Sequence, residues 1–145
     1  MTRIDFYILP EATETTGDTV MTVCRLCDKA VASGARVYLR APQPQLANDI
    51  DDALWSFRQG GFISHERDLG KPCDEPQPSI LIGDGEPPAT HHSVLLNLGA
   101  DVPLYFSRFD RVLEIVPAGA ADRASSRVRY KFYRDRGYEL NTNNL

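Results

Sequence analysis

Short β-branched or apolar runs alternate along this chain with segments whose apolar residues recur every three or four positions, and this alternation constrains the fold more than any other feature. Ile4-Asp5-Phe6-Tyr7-Ile8-Leu9 reads as a strand and stops at Pro10, which has no N–H for a sheet ladder. After a turn-rich stretch, Val20, Val23, Cys24, Cys27, Ala30 and Val31 fall on one helical face, which predicts a helix over 18–32 ending at Ser33-Gly34. Arg36 to Arg40 predicts a second strand. Leu46, Ile50, Ala53, Leu54 and Phe57 form the stripe of a second helix that Gly60-Gly61 ends. Phe62-Ile63 is expected to begin a short strand, and His65 to Pro78, with three prolines, a loop. Ser79 to Ile82 and Ser93 to Leu98 are the continuous apolar runs of covered central strands, with Gly83 to Pro88 as a turn between them. Arg111 to Val116 predicts another strand stopped by Pro117, and residues 120–136 a last helix. Strands alternating with helices imply an α/β fold: one domain over 1–145, with an open, mostly parallel (mixed) sheet flanked by helices.

Charge narrows the range of partners. Sixteen basic residues against 20 acidic give −4 overall, which argues against gripping DNA directly. The distribution is uneven: residues 122–136 carry six cations and two carboxylates, so this segment is +4 and the remainder −8. A positive face on an acidic protein selects a negative partner. An odd count of three cysteines and no signal-peptide pattern at Met1 to Asp5 lead us to expect a reducing cytoplasm, and no apolar run approaches the ~20 residues a membrane span needs.

Catalytic and cofactor motifs are weak. Cys24-Arg-Leu-Cys27 has the CxxC spacing, but both sulfurs fall mid-helix on the apolar face, where a structural role fits better than redox chemistry or zinc. Gly83-Asp84-Gly85 lacks the third glycine of a dinucleotide loop, and Pro87-Pro88 follows it. No P-loop or nucleophile-elbow sequence occurs, so no catalytic residue, metal or cofactor is expected.

The last helix is the most informative element. At 100° per residue, Arg123, Arg127, Tyr130, Lys131 and Arg134 share one face, while Ala121, Ala124, Val128 and Phe132 occupy the opposing arc, expected to pack on the core. The basic face fits a ligand. Trp55, among Asp49, Asp51 and Asp52 and followed by Phe57 and Phe62, either caps the core or forms an interface hot spot.

Several of these residues carry a family resemblance. The strand Ile4 to Leu9, Asp52-Ala-Leu-Trp55 with Phe62 seven residues on, Glu114-Ile-Val-Pro117, and above all Arg129-Tyr-Lys-Phe-Tyr-Arg134 followed by Gly137-Tyr-Glu-Leu-Asn-Thr142 resemble the chi subunit of bacterial DNA polymerase III holoenzyme over nearly the whole chain. The resemblance implies a nucleotide-binding-like topology without a nucleotide. It also implies a non-catalytic accessory protein of the clamp loader in the bacterial cytoplasm, meeting DNA only indirectly. Its partners would be the psi subunit and the acidic C-terminal tail of single-stranded DNA-binding protein. By position, Arg123, Arg127, Tyr130 and Lys131, with Val116 beside them, would take the tail, and Trp55 and Phe62 would face psi. The alternative from the residues alone is a small nucleotide-using α/β enzyme, which would place perturbed titratable groups at the strand carboxyl ends where an adaptor leaves that edge plugged.

Overall fold

The computed structural model describes residues 2–10, 16–57, 63–68 and 77–145. Its elements run β1 (Arg3–Ile8), α1 (Thr16–Ala32), β2 (Val37–Arg40), α2 (Pro44–Ser56), β3 (His65–Arg67), β4 (Ile80–Gly83), β5 (Val94–Asn97), β6 (Arg111–Val116), α3 (Ala120–Asp135) and β7 (Glu139–Asn144). A single 3-10 turn at Phe106–Arg108 precedes β6. The seven strands form one sheet in the order β3-β4-β2-β5-β6-β1-β7, with every ladder parallel.

Side-chain alternation divides the strands between two cores. Val37, Leu39, Ile80, Ile82, Val94, Leu96, Leu113 and Ile115 pack under α1 and α2. Ile4, Phe6, Tyr38, Leu81, Leu95, Val112 and Val116 point to the other face, where Tyr133 of α3 joins them with Phe106 and Phe109. Cys24 and Cys27 are fully buried on the inner face of α1. Burial pushes the Cys24 thiol up to about 11 and the Cys27 thiol higher still.

Three expectations are corrected. His65–Arg67 is a strand within the expected loop, because the outer edge of β4 is open for pairing: the Ile80 N–H donates to Ser64 O at 3.0 Å and the Asp68 N–H to Ile82 O at 2.7 Å. Phe62 and Gly60-Gly61 lie outside the described residues; Ile63 is buried but not in a strand. β7 was not anticipated because Glu-Leu-Asn-Thr-Asn-Asn has no apolar alternation. It pairs with β1 from Arg3↔Glu139 to Ile8↔Asn144, an edge strand held by backbone bonds and little burial.

The third correction concerns α3. The arc Ala121, Ala124 and Val128 is exposed, Val128 by 72%, and only Phe132 is half-buried. The inward residues are Ser126, Arg129 and Tyr133. The cause is Glu114, which β6 aims at α3 from the same face as Val112 and Val116. Burying Val128 would gain about 1.5–3 kcal/mol, whereas leaving a buried carboxylate without its cation costs about 3–5 kcal/mol. The helix therefore turns Arg129 and Tyr133 inward.

Candidate protein-docking site

α3 runs from the N-cap Gly119 along β6 and toward β7. Its rotation is fixed by an interior hydrogen-bond network. Glu114, with no exposure, accepts from Arg129 Nε at 2.9 Å through Oε1, and from Asn97 Nδ2 at 3.0 Å and Tyr133 Oη at 2.7 Å through Oε2. Arg129 Nη1 also donates to Ala100 O at 3.1 Å and Ser125 Oγ at 2.6 Å. Asn97 Oδ1 accepts from Arg40 Nη1 at 3.0 Å, and Arg40 Nη2 lies 2.9 Å from Asp101 Oδ1.

Titration is perturbed throughout this network. Burial raises the Glu114 carboxyl above its usual range against the pull of Arg129, Asn97 and Tyr133. Burial and then the Glu114 charge raise the Tyr133 phenol. The hydrogen bond from Arg40 lowers Asp101. Perturbed groups thus do lie toward the strand carboxyl ends, as an enzyme would place them, and the edge is not plugged; Glu114 and Arg129 are, however, buried and bonded to fixed protein partners rather than aimed at a ligand.

A cleft of about 580 Å³ opens at this edge, lined by Leu46, Asp49, Leu98, Pro117, Asp122 and Arg129 among others. Helix starts attract phosphate. Here, however, Asp122 occupies the first turn of α3 and Asp49 lines the same space, so a nucleotide's phosphates would meet carboxylates.

Outside the network, the residues assigned to tail binding differ in what they are free to do. Arg127 and Lys131, one turn apart, are exposed, and neither has an ion-pair or hydrogen-bond partner among the described residues. Tyr130 is half-buried, its ring 5.3 Å from Phe6 at 60°. Arg123 is half-buried and committed to backbone, donating to Leu9 O at 2.9 Å and Ala118 O at 3.3 Å. Val116 is 2% exposed, so it supports Phe6 and Tyr130 from beneath. Arg134 lies 3.5 Å from Asp135.

Trp55 is on the opposite side of the sheet, at the end of α2, and is 61% exposed; it does not cap the core. Its ring meets His65 of β3 at 4.9 Å and 68°. Nothing in the sequence pattern indicates that His65 lies against Trp55, nor that Asn97, Glu114 and Arg129 form a network. The one signal of a buried charge is Glu114, the lone charge between the inward-facing Val112 and Val116.

These features define an α/β protein with the topology of nucleotide-binding folds, a cleft at the strand carboxyl ends floored by a buried charge network, and two exposed surfaces on opposite sheet faces. The chain belongs to the family described as DNA polymerase III chi subunit, HolC, whose profile matches residues 1–141. It is 36% identical over 148 residues to the DNA polymerase III subunit chi of Pseudomonas aeruginosa, covering 100% of this chain and 98% of that one. The chi subunits of Haemophilus influenzae and Escherichia coli are 28% and 26% identical, covering 97% and 98% of this chain and 95% and 97% of theirs. Among solved structures, the crystal structure of T4 UvsW matches with a TM-score of 0.64 at 9% identity, over 99% of this chain and 41% of that one, a likeness of fold alone.

Proposed function

We propose that this chi-family chain is a non-catalytic accessory subunit of the replicative clamp loader, working in the bacterial cytoplasm as a bridge between the psi subunit and single-stranded DNA-binding protein. α3 receives the partner's acidic C-terminal tail; Trp55 and Phe62 face psi. The observation that carries this reading is the pair Arg127 and Lys131, exposed and unpartnered among the described residues beside a half-buried tyrosine. Two adjacent cations meet acidic side chains and a terminal carboxylate, and the Tyr130 ring offers an apolar flank for an aromatic residue, which is how C-terminal capture works. The location of Trp55 on the other sheet face supports bridging, since a bridge needs two surfaces that do not compete. A pull-down with single-stranded DNA-binding protein tests it: intact protein is retained, and protein lacking its tail is not. Retention independent of the tail refutes the assignment.

The cleft at the strand carboxyl ends supports a second reading, a small nucleotide-using enzyme. Calorimetry decides between the two. The adaptor reading expects no saturable heat with ATP or NAD at micromolar concentration, and saturable binding would revive the enzyme.

A further inference from the structure

A stripe of α2 and the β3 edge are stitched together under Trp55. Asn48, Asp51 and Trp55 recur at helical spacing along α2, and His65 and Arg67 lie two apart on β3. Arg67 Nη1 donates to Asn48 Oδ1 at 2.8 Å and lies 3.9 Å from Asp51 Oδ2. His65, whose side chain has no exposure, donates from Nδ1 to Ile63 O at 2.7 Å and has Nε2 3.0 Å from Asp51 Oδ1. The Nδ1 hydrogen bond fixes the buried imidazole, Asp51 packs against its far nitrogen without hydrogen-bond alignment, and the edge-on indole rests on the ring.

We propose that His65 is the positioning residue for Trp55: bonded to the Ile63 carbonyl and packed against Asp51, it fixes the exposed indole in the orientation that docks. This rests on the reading of Trp55 as the psi-facing anchor. An exposed tryptophan left free would lose rotamer entropy on binding; one already oriented loses less and binds more tightly. Because the His65 side chain is buried, it cannot touch a docking protein. Any effect on affinity must pass through Trp55 or through a general loosening of the fold, and a double-mutant cycle separates these.

The test measures psi affinity by surface capture of the full chain as wild type, Trp55→Ala, His65→Ala and the double variant. Trp55→Ala is expected to weaken binding about 30-fold, in line with an interface hot spot. His65→Ala is expected to weaken it about 5- to 10-fold alone and less than about 2-fold once Trp55 is gone, the coupling expected of contacting residues. Since Trp55 is the lone tryptophan, its fluorescence anisotropy decay reports the indole directly; His65→Ala should add a fast local motion absent in wild type. Should His65→Ala fail to fold, Asp51→Ala is the second variant, expected to free the indole likewise, with Asp51→Asn restoring it because the near-isosteric amide keeps the packing against the imidazole. An equal His65→Ala effect in both backgrounds, or no effect while Trp55→Ala still weakens binding, overturns the positioning role. Unchanged binding by Trp55→Ala instead refutes the psi assignment beneath it.

Discussion

Arg129→Met isolates the term that sets the rotation of α3. The substitution keeps much of the side-chain volume and removes the guanidinium that meets Glu114 Oε1 at 2.9 Å. Glu114 retains Asn97 and Tyr133 as donors but loses its one cation while fully buried. Breaking a buried pair from one side costs about 3–5 kcal/mol. The lost bonds to Ala100 O and Ser125 Oγ lie within that figure, because a network is not the sum of its parts. At ~3 °C per kcal/mol for a chain of this size, Tm should fall by about 10–15 °C.

The pH dependence has a definite sign. Burial already raises the Glu114 carboxyl, and removing Arg129 raises it further. A carboxyl whose folded pKa exceeds its unfolded value contributes stability below the unfolded pKa, and that contribution is lost as pH rises toward the folded value. The Arg129→Met deficit should therefore shrink on acidification from neutrality, by up to about 1.4 kcal/mol per pH unit. In Glu114→Gln/Arg129→Met no buried charge remains, and most of the loss at neutral pH should return. Calorimetric melting across pH measures all three proteins. Arg129→Met within about 1 kcal/mol of wild type, or a double variant no more stable than the single, would refute the reasoning, since both outcomes fall outside the cost of an orphaned buried charge.

Two further outcomes follow from burial. His91, 1% exposed, donates from Nε2 to Pro78 O at 2.8 Å and has Thr90 Oγ1 2.8 Å from Nδ1, and burial holds it below its usual value of 6.5. The unfolded chain takes up that proton first on acidification, so wild-type stability should fall relative to His91→Gln as pH drops below about 6.5; parallel stability curves would contradict it. Cys24 and Cys27 should resist iodoacetamide at pH 8 in the native protein, since at a thiol pKa of about 11 only about one Cys24 in a thousand is thiolate. Peptide mapping by mass spectrometry checks this, and rapid native labelling of either would place it at the surface.

What was legible in the sequence was whatever burial wrote in apolar residues. The runs of β1, β2, β4, β5 and β6 and the stripes of α1 and α2 were found within a few residues of their bounds. β7 and β3 escaped because backbone pairing at a sheet edge requires no apolar pattern. The basic segment was readable as charge, but the roles of its members were not. Arg123 ties itself to Leu9 and Arg129 to Glu114, commitments that depend on partners 114 and 15 residues away. The wheel of α3 failed for the same reason: it ranks residues by polarity, and the buried Glu114 makes a polar face the better one to bury.

Calorimetric titration of an acidic peptide with an aromatic C-terminal residue into wild type and Lys131→Ala is the most direct test of the bridge. Few contacts on an exposed face imply affinity near micromolar, about −8 kcal/mol, weakening as salt screens the cations. Lys131→Ala should weaken binding strongly while stability stays within about 0.5 kcal/mol, and Lys29→Ala on α1 should bind as wild type. Equal affinity of wild type and Lys131→Ala, or unchanged binding after removal of the peptide's last residue, would contradict tail capture by α3.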